Sequence, residues 1–128
     1  MIYIILNLVP ILLATLAGLC VGAAWLRIAK LPGCGIGLLV TAALAQAWFA
    51  AILAGALILA PAKAGDWTMA LGSAVVIWIG FVVPVCIVTL RARQQRWSAA
   101  LLDCLYWLAV MLVQALVLKS WGLVSPPA

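Results

Sequence analysis

Four apolar stretches, three uncharged and one holding a single acid, divide this sequence, and each is long enough to cross a bilayer. They run from about Ile2 to Leu26, Ile36 to Ala60, Trp67 to Leu90 and Trp97 to Leu118. At about 1.5 Å of rise per helical residue, roughly 20 residues span the ~30 Å of hydrocarbon in a membrane. A soluble chain of 128 residues with 70% hydrophobic and only 7% charged positions would leave a surface mostly of Leu, Val and Ala. Lipid removes that conflict by solvating the outer face of each helix, while every backbone polar group pairs within its own helix. A membrane β-barrel is disfavoured, because it needs eight or more alternating segments of about ten residues. The expected fold class is therefore all-α: an integral membrane four-helix bundle of antiparallel, up-down topology, with residues 1–128 as a single transmembrane domain.

The basic residues set an orientation. Arg27 and Lys30 follow the first stretch and Arg91, Arg93 and Arg96 follow the third, whereas the opposite side carries Lys63 and Lys119. The positive-inside tendency puts both basic loops in the cytoplasm and both termini outside, in a bacterial inner membrane. Tyr3, Trp25, Trp67, Trp97 and Trp121 fall at span ends, as an aromatic belt would. The net charge of +5 thus belongs to membrane topology, and no nucleic-acid partner is expected. The first stretch lacks the basic start of a secretory signal, and Leu19 spoils the lipoprotein-like run before Cys20, so it reads as a retained span.

Small residues at four-residue spacing mark where helices approach closely in lipid. The first span offers Ala14, Gly18 and Gly22, the second Ala43, Ala47, Ala51 and Gly55, and the third Gly72, Gly80 and Pro84. The short basic turn makes the last two spans a hairpin in which residue numbers summing to about 187 share a depth. That register sets Gly80 against Trp107 as a hole for a knob, Pro84 against Asp103, and Ser73 against Gln114. Pro84 frees the carbonyl of Gly80, so a kink is expected there.

Residues able to carry chemistry are few. There is no histidine, and Cys20, Cys34, Cys86 and Cys104 form no C-x-x-C pair. Three of the cysteines are expected to be small packing residues, and a zinc site or thiol oxidoreductase is not signalled. All four fall on the expected cytoplasmic half, away from an oxidising compartment. Asp103 is the one acid inside a span and so a candidate functional group, either as a proton carrier or paired with Arg96, Arg27, Arg91 or the Pro84 kink. Asn7, Thr15, Thr41, Gln46, Ser73 and Gln114 are expected to hydrogen-bond between helices, with Asn7, Ser73 and Gln114 at one depth. Trp48, Trp78 and Trp107 lie mid-span and could line a groove, with packing the commoner role. No catalytic constellation is present, so no enzyme and no cofactor are expected.

Two segments resemble a family. Gly22-Ala23-Ala24-Trp25, together with the run from Gly80-Phe81-Val82-Val83-Pro84 through Arg96 to Asp103-x-x-Tyr106 and Trp121, is similar to the small bacterial four-helix membrane proteins of domain-of-unknown-function family 1761. The family's last-span pattern of Asn or Asp followed by Ala-Gly-Tyr reads here Asp103-Cys104-Leu105-Tyr106. Its acidic residue near the third loop is replaced by Gln94-Gln95. The resemblance implies a four-helix inner-membrane fold and no particular activity. The expected role is an accessory subunit of a larger respiratory or photosynthetic membrane complex, or a self-associating bundle. A small proton-coupled transporter built on Asp103 is the alternative.

Overall fold

A computed structural model describes residues 2–32, 35–60 and 65–127. Cys34 and Lys63 lie outside the described residues. The elements are α1 (Ile2–Leu6), α2 (Leu8–Ile28), α3 (Ile36–Leu59), α4 (Asp66–Ile77), a π-helical turn (Trp78–Val82), α5 (Val83–Ala92) and α6 (Trp97–Trp121), and the described residues contain no strand. Four helical segments are long and apolar enough to cross a membrane: Leu8–Ile28, Ile36–Leu59, Trp67–Ala92 and Trp97–Trp121. Their outer faces are lipid-like, with Ile36 82%, Leu59 84% and Phe81 72% exposed. Water does not tolerate such a surface, whereas hydrocarbon does. The chain is an all-α integral membrane four-helix bundle.

Side-chain contacts fix the up-down arrangement. Near the start of the chain Tyr3 meets Gly55 at the end of α3, while Gly18 meets Gln46 in its middle, so the first two spans are antiparallel. Asn7 bonds the backbone of Val124 beyond α6, and Trp25 stacks on Tyr106 within it, so the first and last spans are antiparallel too. Arg27, Arg91, Arg93 and Arg96 gather at one end, called here the basic end.

Both helices that stop at the basic end close in the same way. Leu31 N–H bonds Leu26 O and Gln95 N–H bonds Leu90 O, while Lys30 and Gln94 adopt φ of 55° and 59°. This is the six-to-one closure of a Schellman turn, made with non-glycine residues in the left-handed position. The first span is not continuous. Pro10 has no N–H to offer the carbonyl of Leu6, and the helix breaks at Asn7 into α1 and α2.

Pro84 acts similarly in the third span. The expected disturbance takes the form of the π-helical turn, in which Val83 N–H reaches back to Trp78 O. The wider turn accommodates a ring that cannot donate to Gly80.

The core is built mainly by α2, α3 and α6. It holds Ile11, Ala14, Ala50, Leu53, Ala54, Met111, Ala115 and Leu118. The deepest stripe of α3 is Gln46–Ala50–Ala54, beside Ala51 and Leu53, while Ala47 and Gly55 are half-buried next to it. The third span turns the other way from expectation. Ala70, Ala74 and Val82 are buried, and Gly72, Gly80 and Pro84 are exposed. A Cβ added at Gly72 or Gly80 would meet nothing within 4 Å, so the expected Gly80–Trp107 knob and hole is not formed. The face with Ala70 and Ala74 wins because it also carries Leu71, Ile77 and Trp78 into the core. Trp107 packs instead on Phe49, ring centroids 5.2 Å apart.

Candidate functional site

The polar residues of the spans do not pair at equal depth as the hairpin register suggests; they converge on two glycines of α2. Gln46 and Gln114 are both 0% exposed. The Gln46 Nε2 donates to Tyr106 Oη at 2.9 Å, and Gln114 Nε2 donates to the backbone oxygen of Gln46 at 3.1 Å. Three helices are joined at this point because Gly18 and Gly22 let them approach. A Cβ at Gly18 would overlap Gln46 Oε1 and lie 3.1 Å from Gln114 Nε2, and one at Gly22 would lie 3.3 Å from Tyr106 Oη. The spacing of Gly18 and Gly22 thus identified a close-approach face, whose filling by carboxamides was not evident from spacing.

Trp25 extends the cluster. Its ring stacks on Tyr106 at 4.4 Å with planes 23° apart, and Tyr106 in turn tilts against Trp107 at 4.9 Å. Helical side chains lean toward the N-terminus of their own helix. In antiparallel α2 and α6, Trp25 therefore leans back into the bundle and Tyr106 leans toward the basic end, so they meet. Of the aromatic residues at the span ends, Trp25 and Tyr3 turn inward, onto Tyr106 and over Gly55, whereas Trp67, Trp97 and Trp121 are exposed.

Beside this cluster a cavity of about 160 Å³ opens between α2, α3 and α6, with Leu26, Leu38 and Leu39 among its apolar walls and Gln46, Tyr106 and Trp25 on its polar side. Among the described residues, Trp25 Nε1, Gln46 Oε1 and Gln114 Oε1 are buried without a hydrogen-bond partner. A second, apolar cavity of about 290 Å³ lies between α3 and the third span, against Trp48, Phe49 and Phe81.

No protein-family model, curated protein or solved structure matches this chain.

The remaining candidates are placed apart from the cluster. Asp103 is half-buried on α6 and forms no ion pair among the described residues. Arg96 is exposed at the start of α6, and Arg91 donates to Gln95 O and stacks on Trp97 at 4.7 Å. The expected pairing of Asp103 with Arg96, Arg27 or Arg91 is therefore absent, because the arginines turn toward the interface. Pro84 is exposed and makes no link to Asp103. Ser73 bonds Met69 O on its own helix, Thr15 bonds Ile11 O, and Thr41 bonds Gly37 O, so these three join no helices. Asn7 clamps the tail, donating to Val124 O at 2.8 Å and accepting from Val124 N–H at 2.7 Å. Trp48 faces outward and Trp78 donates to Cys104 O at 2.8 Å. The Cys86 and Cys104 thiols come side by side between α5 and α6.

Proposed function

We propose that this chain is a small accessory protein of a bacterial inner membrane, working by association with other membrane subunits or with copies of itself rather than by catalysis. The observation that carries the proposal is the third span. Only 11% of its most apolar stretch is buried within the chain, against 33% for the fourth span. Its bare face presents Gly72, Gly80 and Pro84, the small residues that let a second helix approach in lipid. The proposed orientation keeps both termini outside and the basic end in the cytoplasm. Membership of domain-of-unknown-function family 1761 belongs to the same proposal. It rests on the resembling segments alone, whose Gly22, Trp25 and Tyr106 come into contact. The titratable groups near Asp103 are the Cys86 and Cys104 thiols, and no ion pair joins them among the described residues, so the transporter alternative draws little support from its surroundings.

Gentle extraction from the native membrane followed by native mass measurement tests the association. Assemblies heavier than one 13.5 kDa chain are expected, and Gly72→Leu with Gly80→Leu is expected to dissolve them while the thermal transition stays put. A single chain before and after mild cross-linking, or an assembly indifferent to both leucines, would refute it. Reporters fused to the two ends check the orientation; activity in different compartments would overturn it.

A further inference from the structure

We infer that the cavity between α2, α3 and α6 binds the carbonyl-bearing ring of a lipid-soluble molecule, with the chemistry of a prenylated quinone, through hydrogen bonds from Tyr106 and Trp25. Tyr106 Oη accepts from Gln46, which leaves its own proton without an acceptor among the described residues. The Trp25 indole N–H is buried and equally unmatched. The unmatched acceptor Gln46 Oε1 is turned against Gly18, whereas the two unmatched donors belong to residues that line the cavity; hydrocarbon chains supply no acceptor, so the donors call for a ligand that brings its own. The indole nitrogen is screened by its surroundings, so Tyr106 is the first donor and Trp25 adjusts once the ring has entered.

Shape selects among carbonyl compounds. The cavity, at about 160 Å³, is smaller than the roughly 300 Å³ at which drug-sized pockets begin, so it holds a head and not a whole lipid. Its apolar side, with Leu26, Leu38 and Leu39, suits a tail leaving into the bilayer. Trp25 and Tyr106, stacked on each other, bring two aromatic rings to the wall of the cavity, against which a flat ring can pack. Depth sets the Tyr106 end of the cavity apart from a phospholipid ester, whereas its mouth at Trp25, Leu26, Leu38 and Leu39 lies within three residues of the helix ends. Gln46 is ten residues into α3 and Tyr106 nine into α6, which puts their backbones roughly 13–15 Å from the helix starts. Ester carbonyls lie at the edge of the hydrocarbon, where a mobile ring is not confined.

The test uses the whole chain in lipid nanodiscs, titrated with a decyl-substituted benzoquinone and followed by quenching of tryptophan fluorescence. Saturable quenching is expected, at least tenfold weaker in Tyr106→Phe and lost in Leu39→Phe, which fills the cavity without touching the Gln46–Tyr106 bond. Trp48→Phe, on the lipid face, is expected to leave the apparent affinity unchanged. Decylbenzene, which has the ring and tail but no carbonyl and does not quench by itself, is expected not to displace the quinone when added as a competitor. Quenching that rises linearly with quinone, equal affinity in the Leu39→Phe chain, or relief of the quinone quenching by an equal amount of decylbenzene each overturns the inference. Ether-linked lipids in the nanodisc expose the rival occupant: a marked gain in quinone affinity there would show that ester carbonyls hold the site, against the inference.

Discussion

Replacing Gly18 with alanine should cost about 2 kcal/mol of bundle stability, through one side chain. The added methyl would overlap Gln46 Oε1 and stand 3.2 Å from Gln46 Cδ. Either α2 backs away from α3 and α6, or the Gln46 carboxamide swings aside and gives up Tyr106. Hydrogen bonds between membrane helices contribute about 0.6–1.7 kcal/mol each, and one such bond is lost outright. The Gln114 bond to the Gln46 backbone is strained at the same time, because Gln114 Nε2 also borders the new methyl. Overpacking of a filled core adds about 1–3 kcal/mol when relaxation is poor, and relaxation is partial here because the colliding atom ends a flexible chain. The advantage of alanine over glycine in a helix, about 1 kcal/mol in water, counts for little when the unassembled span is already helical in lipid. Reversible unfolding in mixed micelles measures the difference. The decisive comparison is Gly18→Ala in a Gln46→Ala background, where the overlap with Gln46 is gone and only the 3.1 Å contact with Gln114 Nε2 remains, so the cost should fall to about 1 kcal/mol or less. Gly72→Ala and Gly80→Ala, which meet no atoms, should be equally mild in the isolated chain. A neutral Gly18→Ala, or a cost undiminished without the Gln46 side chain, would refute the reasoning.

Three further outcomes are expected. Tyr106→Phe removes the acceptor of Gln46 Nε2 and leaves a buried amide unmatched, lowering stability in the same assay by about 1–2 kcal/mol. Asn7→Ala frees the C-terminal tail by deleting both bonds to Val124, so limited proteolysis should trim the tail faster while the four spans stay protected. Asp103→Asn should change stability by less than about 0.5 kcal/mol, since no ion pair is broken, and should leave growth unaltered; abolished proton-coupled flux would revive the transporter alternative.

The spans were legible because length and apolarity decide membrane insertion one helix at a time. Their ends came within a few residues, and the turns at Lys30 and Gln94 lie where the charges announced them. What single-helix patterns do not encode is rotation about the helix axis. Gly18 and Gly22 could be recognised as a close-approach face because glycine marks it, whereas the competing small stripe Ala17–Cys20–Ala24 carries none. In the third span two stripes compete, Ala70–Ala74 and Gly72–Gly80, and the choice rests on where Leu71, Ile77 and Trp78 must go. Trp25 shows the same limit: a tryptophan near a helix end suits the interface and the interior alike, and only the antiparallel Tyr106 decides. Gln46 and Gln114 were visible as polar glue, but their partners depend on the relative shift of three helices.

The bundle has two grades of attachment, and Trp78 tests the weaker one. The first, second and fourth spans are locked by buried carboxamides around glycine, whereas the third rests on α6 through Ala70, Ala74 and the indole N–H of Trp78 at Cys104 O. That carbonyl belongs to a helix interior and keeps its backbone partner, so Trp78→Phe removes a bond without orphaning an acceptor. The loss is therefore about 1 kcal/mol and local. Hydrogen exchange across the chain should quicken roughly fivefold in α4 and α5, following about 1 kcal/mol of easier opening, and stay unchanged around Gln46 and Gln114. A chain in which all four spans exchange faster together would mean that the third helix is as integral to the core as the others. The bare Gly72–Gly80 face would then be a lipid surface of a single unit, and not the side on which a loosely held helix meets a partner.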